Sequence, residues 1–332
     1  MSKAHPIIAV TGSSGAGTST VRDAFCRTFI KDNLDPVFIQ GDSFRRYDRT
    51  EMKRVAAESV RDGRPISHFG PEANRFEDIE ALFREYGHTG TGRRRYYIED
   101  AEAAAVHGQP VGTFTDWEDL PEGSDLLFYE GLHGAVVSTS WTRRRMSPSH
   151  NPRVIEERRK HDGHTRGVDA ARWVDFLIGV VPSVNLEWIQ KIHRDCGKKG
   201  SPLEQVTDTI LGRLYDYVHY ITPQFSLTDI NFQRVPLVDT SNPFIAMDIP
   251  SYNESMVVIL LREPKKHNIP ELLRKIDGAF MSRANTLVTP GSEMINAMNI
   301  VCTPVIQRMM EEKETARRRA RSAARNKAHP AK

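Results

Sequence analysis

The stretch Ile7-Ile8-Ala9-Val10-Thr11, continuing as Gly12-Ser13-Ser14-Gly15-Ala16-Gly17-Thr18-Ser19-Thr20, runs from an apolar segment through a glycine-rich turn into a helical pattern over 21–30. A short buried strand feeding such a turn and a helix aims several backbone N–H groups and the positive helix end at one point, which is a site for phosphate. Gly12, Gly15 and Gly17 carry no Cβ, so the backbone can approach phosphate oxygens closely. ATP is the expected ligand of residues 12–20, and Ser19 is the hydroxyl expected to reach Mg2+. Thr18 stands where the common phosphate-loop pattern has lysine, so a cation has to come from elsewhere. A Gly- and Ser-rich surface turn is the plainer alternative; the flanking strand and helix speak against it.

The chain has 332 residues with four Trp and 14 Phe, enough apolar material for a globular core. No apolar run reaches membrane-spanning length, and residues 1–6 lack the regions of a signal peptide, so a cytoplasmic location is expected. Cys26, Cys196 and Cys302 are far apart and in no metal-ligand spacing, which suits a reducing compartment. The net charge of +3 conceals a segregation. Basic residues outnumber acidic ones nine to four over 138–172 and eight to one over 313–332, leaving a body with 29 basic against 38 acidic residues. An acidic body with two basic appendages argues against a nucleic-acid-binding domain, although the run Arg317-Arg318-Arg319-Ala320-Arg321 is the place where an anionic partner could be met.

Short β-rich apolar runs alternate with helical patterns, which predicts an α/β fold of the P-loop NTPase type, a mostly parallel, mixed sheet flanked by helices. The strands are expected at 7–11, 37–40, 126–129, 176–181, 236–239, 257–261 and 286–288, and helices at 51–57, 77–85, 185–194 and 292–316. Gly12, Asp42, Glu130 and Pro182 stand at the carboxyl ends of the first four strands, where open α/β sheets bind ligands. The segment 138–172 interrupts this order with Arg143-Arg144-Arg145, two prolines and a charged run at 156–160. It reads as an insertion, for which a solvated charged segment is the plain interpretation. The stretch from Lys313 has helical propensity but no apolar stripe, and a disordered tail is expected over 313–332.

Asp42, in Gly41-Asp42-Ser43-Phe44, is placed to act as a general base toward an acceptor hydroxyl, an effect of about 10²–10⁴ in rate; a cap to the backbone N–H of Phe44 or Arg45 is the structural alternative. Leu126-Leu127-Phe128-Tyr129-Glu130-Gly131 is a buried strand ending in an acid, and Glu130 is expected to face the same metal as Ser19. His133 follows, and a lone histidine there is read as structural. Lys191, Arg194 and Asp195 are three and four residues apart and share one helix face. That face could supply the missing cation and a second acid at the metal, or simply an exposed Lys191–Asp195 ion pair. Arg45, Arg46 and Arg49 cluster after Asp42, and the planar fork of arginine suits an acceptor that itself carries phosphate.

With these residues in place the chain resembles the phosphoribulokinases of the proteobacterial type over nearly its whole length apart from the basic insertion and tail. The resemblance is carried by residues 12–20, Gly41-Asp42-Ser43-Phe44, Phe128-Tyr129-Glu130-Gly131-Leu132-His133-Gly134, residues 185–195 from Asn185-Leu186 to Arg194-Asp195, and Asn231-Phe232-Gln233-Arg234-Val235-Pro236 with Val238-Asp239-Thr240-Ser241-Asn242-Pro243-Phe244. It implies a kinase domain over 1–312 that phosphorylates the primary hydroxyl on carbon one of D-ribulose 5-phosphate with ATP and Mg2+, giving ribulose 1,5-bisphosphate for the Calvin cycle. It further implies Asp42 as catalytic base, Arg49 as sugar-phosphate contact, Glu130 and Asp195 as essential acids, and Lys191 and Arg194 as phosphate-facing cations. A homo-oligomer, typically an octamer, and response to NADH and AMP, with Arg234 in a motif linked to that control, are implied as well. Three positions depart from the family pattern: Arg45 and Glu99 where it has histidine, and Lys199 where it has arginine. Arg45 and Lys199 keep positive charge for a phosphorylated acceptor, whereas a carboxylate at Glu99 would repel one unless it is paired or points away. A paralogue acting on another sugar phosphate and a regulatory protein that binds nucleotide and sugar phosphate with little catalysis are the alternatives. A nucleoside or vitamin kinase would leave the arginine cluster and the 231–244 motif unexplained.

Overall fold

The computed structural model describes residues 4–12, 18–61, 66–138, 167–198, 200–246 and 248–328. Most of the glycine-rich turn (13–17), the bulk of the basic insertion (139–166), Lys199 and residues 329–332 lie outside them, as do the side chains of Thr18, Ser19 and Thr20.

Eight strands form one sheet: β1 (Ile7–Gly12), β2 (Pro36–Gln40), β3 (Leu126–Gly131), β4 (Phe176–Pro182), β5 (Ile230–Pro236), β6 (Ser255–Leu261), β7 (Phe280–Arg283) and β8 (Thr286–Pro290). From one edge to the other the order is β7-β8-β6-β5-β4-β1-β3-β2. The five strands from β5 to β2 are parallel, and β6, β8 and β7 continue the sheet antiparallel. The expected mixed, mostly parallel sheet is therefore present. Helices α1 (Thr18–Lys31), α2 (Arg49–Arg61), α3 (Phe76–Thr89), α4 (Val184–Ile192), α5 (Leu203–Gly212) and α6 (Met294–Ala328) connect or flank it.

β1 is buried along its whole length, and its alternate residues divide between two cores because successive side chains point to opposite faces. Ile8 and Val10 pack with Phe25 and Phe29 of α1 and with Met298, Val301 and Ile306 of α6. Ile7 and Ala9 pack on the other face with Ile79, Leu82, Phe83 and Tyr86 of α3. Burial of each such large side chain contributes about 1.5–3 kcal/mol. Among the described residues no helix is long and apolar enough to cross a membrane.

Three expectations are corrected. The strand predicted at 236–239 lies earlier, at Ile230–Pro236. Its Ile230 and Phe232 are buried while Asn231 and Gln233 are half-buried, the alternation of a strand with one drier face, and the apolar Leu237-Val238 after it is exposed. A strand at Phe280–Arg283, mostly exposed at the sheet edge, was not expected at all. The last helix does not give way to a disordered tail at Lys313: it runs to Ala328, and Lys313 is 3 % exposed. An ammonium there reaches the Ser124 and Asp125 carbonyls and Asp125 Oδ1 at 3.1 Å, so a charged residue rather than an apolar stripe fastens the helix.

Candidate active site

A cleft of about 850 Å3 opens over the carboxyl ends of the parallel strands, a volume suited to a small-molecule ligand. Gly12 ends β1, Asp42 follows β2, Glu130 is the next-to-last residue of β3 and Lys191, Arg194 and Asp195 follow β4; all six line this one cleft. Asp42 is not beside the phosphate loop through its own strand, because β3 lies between β1 and β2. Two glycines shorten the distance instead. A Cβ on Gly41 would come within 2.5 Å of the Tyr129 hydroxyl and 2.8 Å of Gly131 Cα, so the ends of β2 and β3 touch backbone to backbone. Gly12 is demanded by packing too, since a Cβ there would sit 2.6 Å from the Val180 carbonyl oxygen.

After β2 the chain forms a 3-10 turn, Gly41–Phe44, with Ser43 and Phe44 buried. Asp42 is left half-exposed, and its Oδ2 accepts from Arg45 Nη2 at 2.6 Å. The cap that was the structural alternative for Asp42 is not made by the carboxylate; it is the Asp42 backbone carbonyl that receives the Arg45 N–H, at 3.3 Å. The Arg45 guanidinium also lies 4.9 Å from the Tyr97 ring centroid. Asp48 caps α2 by accepting from the N–H groups of Thr50 and Glu51, both at 2.8 Å. Arg49 thereby starts α2 at the cleft, where its Nη2 donates to the Glu99 carbonyl at 3.2 Å. Glu99 is exposed and lines the same cleft, where its backbone carbonyl is the group that meets Arg49. Arg46 departs from the cluster, pairing with Glu77 at 3.2 Å.

The loop after β3 is held by a residue that no sequence motif singles out. Gln224, 1 % exposed, accepts the Ala135 N–H at 2.9 Å and donates to the Leu132 and Tyr220 carbonyls, while the Thr11 hydroxyl lies 3.0 Å from its Oε1. The end of β1 and the turn carrying Glu130 are thus locked together. His133 is buried and 3.1 Å from the Phe69 carbonyl, the structural role expected of it; burial brings its pKa down to about 4.

Beyond α4 the helix widens into a π turn, His193–Lys198, of the kind found at functional sites. Lys191 Nζ donates to Asp195 Oδ2 at 2.6 Å, and Arg194 Nε to Oδ1 at 3.3 Å. The predicted shared face exists, and so does the ion pair, but the pair is largely buried rather than exposed. Burial lowers the Lys191 pKa, Asp195 raises it in opposition, and the like charges of Arg213 and Arg194 lower it further. Oxygen donors suit a hard dication, and Glu130 fits that chemistry. Asp195 already has both oxygens engaged by cations.

Arg234 does not line the cleft: its Nε donates to Ser255 Oγ at 3.1 Å, it reaches the Pro250 carbonyl, and it stacks 4.3 Å from the Tyr252 ring centroid. Cleft residues that sequence reasoning missed are Arg22, His68, Tyr97 and Arg213. His68 and Arg213 stand at no strand end, and Arg213 follows α5 where a charged residue ordinarily reads as solvated. His68 is driven down to a pKa of about 3, first by burial and then by Arg45, Arg213 and Lys191.

The sequence matches the Phosphoribulokinase / Uridine kinase family over residues 7–146 and 161–241. It is 50 % identical over 317 residues to the phosphoribulokinase of Nitrobacter vulgaris, covering 95 % of this chain and 100 % of that one. The plasmid-borne phosphoribulokinase of Cupriavidus necator is 51 % identical over 317 residues, with 95 % and 99 % covered. The solved phosphoribulokinase from Rhodobacter spheroides superposes with a TM-score of 0.80 at 46 % identity, covering 94 % of this chain and 100 % of that one. The chain belongs to the phosphoribulokinase / uridine kinase family.

Proposed function

We propose that the protein is an ATP-dependent kinase that phosphorylates the primary hydroxyl on carbon one of D-ribulose 5-phosphate, forming ribulose 1,5-bisphosphate for the Calvin cycle. The observation that carries this reading is the single cleft in which Gly12, Asp42, Glu130, Lys191, Arg194 and Asp195 meet from four different strand ends, in a chain about half identical to phosphoribulokinases along their full length. Residues 12–20 bind the ATP phosphates. Arg45, Arg49 and Lys199 attract the phosphate of the acceptor.

Asp42 takes the proton of the carbon-one hydroxyl as its oxygen bonds to the γ-phosphorus and the bond from that phosphorus to the bridging oxygen of ADP breaks; the products are the bisphosphate, ADP and one proton. Lys191 and Arg194 offset charge on the transferring phosphoryl group, and Asp195 orients both cations. Ser19 and Glu130 would hold Mg2+, which neutralises phosphate charge when bound. Asp195, also expected at the metal, is assigned to the cations here because they occupy both its oxygens.

Purified protein with Mg-ATP is to be assayed against ribulose 5-phosphate and a panel of pentose and hexose phosphates, with and without NADH and AMP, the effectors that the resemblance implies. Ribulose 5-phosphate is expected to be the acceptor turned over fastest. Faster turnover of another sugar phosphate would reassign the substrate and implicate Arg45 and Glu99; turnover of none would favour a regulatory role.

A further inference from the structure

Arg45 occupies a position from which two anions can be reached. Its guanidinium holds Asp42 at 2.6 Å, yet the same residue lines both the main cleft and an adjoining one of about 680 Å3 bounded by α2 and Ile66. Asp42, Arg49, His68, Tyr97, Glu99 and Arg213 belong to both clefts as well, so this set is the wall between them. On it three guanidinium groups, Arg45, Arg49 and Arg213, outnumber the two carboxylates of Asp42 and Glu99, and burial first, then Arg45 and Arg213 with Lys191, hold His68 toward its neutral form.

The backbone of Arg45 is fixed on both sides. Its carbonyl accepts from Arg95 Nη2 at 2.6 Å, Arg95 being itself stacked 3.8 Å from the Phe114 ring centroid, and residue 45 bridges to Asn74. A change of partner therefore falls to the side chain alone. A phosphate dianion at this wall offers the guanidinium two oxygens in place of one carboxylate oxygen and is attracted by Arg49 and Arg213 besides, so the exchange leaves Arg45 paired throughout.

We propose, resting on the kinase reading above, that Arg45 is a positioning residue that latches Asp42 and is drawn off it by the phosphate of the acceptor, so that the base is released when a phosphorylated acceptor is seated. While latched, Oδ2 faces an N–H donor instead of the sugar hydroxyl. The device needs an arginine at position 45, where the family pattern that the sequence resembles has histidine.

The test supplies the acceptor in two pieces: D-ribulose, which has the hydroxyl but no phosphate, and phosphite, a phosphate surrogate. In the unaltered protein with Mg-ATP, phosphite is expected to raise kcat for ribulose by about tenfold or more. In Arg45→Gln, kcat for ribulose without phosphite should rise above that of the unaltered protein and gain under about twofold from phosphite; Arg45→Lys should retain part of the phosphite effect. A role in phosphate binding alone would lower the phosphite effect without raising the phosphite-free kcat, and that result overturns the latch. So does a phosphite effect confined to KM in the unaltered protein, a readout that survives even if a variant fails to fold. Absence of turnover with ribulose 5-phosphate itself would instead remove the kinase reading, which keeps the two failures apart.

Discussion

Lys191 and Lys313 make the same bond, ammonium to aspartate, in two regions with opposite demands. Lys313 leaves α6 to meet Asp125 Oδ1 at 3.1 Å and the carbonyls of Ser124 and Asp125, so its donors are taken up by the loop before β3. Lys191 meets Asp195 at 2.6 Å on the wall of the cleft, with Arg194 and Arg213 near enough to oppose its protonation. A lysine whose three N–H bonds go to one loop fastens two pieces of chain together. One that shares a carboxylate with a second cation and lines a cleft is disposed toward an incoming anion.

Four substitutions test this contrast. Asp42→Asn, at the reacting end of the cleft, is expected to lower kcat by about 10² or more with little change in ATP affinity, measured by steady-state kinetics beside nucleotide titration. Turnover within tenfold of the unaltered protein would remove Asp42 from the base role. Lys191→Met should follow, lowering kcat by about 10² while the melting temperature stays nearly constant. Lys313→Met should do the reverse, lowering unfolding free energy by about 2 kcal/mol in denaturant titrations with kcat within about twofold. If both lysine variants lost stability equally and kept kcat, the contrast would collapse.

The smallest expected effect is at Asp175, which accepts the Ile7 N–H at 3.0 Å at the entry to β1. Burial raises its carboxyl pKa to about 6. The folded protein thus binds a proton that the unfolded chain releases near pH 4, and stability falls as pH rises from about 4 to about 6. Asp175→Asn lacks this dependence, so its stability should gain on that of the unaltered protein by about 1–2 kcal/mol across that window. Parallel pH profiles for the two would exclude Asp175 as the source.

Much of the site was legible because its residues stand at the carboxyl ends of apolar strands, where position along the chain announces position in the sheet. Gly12, Asp42 and Glu130 were found by that signal, and the i, i+3, i+4 spacing placed Lys191, Arg194 and Asp195 on one face. His68, Gln224 and Arg213 escaped it. They stand in no strand-end position: His68 and Arg213 reach the cleft through the segments around 68–69 and 201–213, and Gln224 acts on it through the loop after β3. The strand at 230–236 was misplaced for a related reason: its alternating burial was less conspicuous than the apolar pair Leu237-Val238, which tertiary packing leaves exposed.

The amino-acid order by itself determined the alternation of buried strands and helices, the phosphate-loop signature and the acidic and basic residues that follow each strand, because hydrophobic periodicity and turn chemistry are local. Tertiary structure alone decided that β3 runs between β1 and β2, that Gly41 and Gly131 meet, that Asp42 and Glu130 line one cleft, and that Arg45 takes hold of Asp42. These are contacts between distant segments, and which charge meets which is settled by the packing that brings them together.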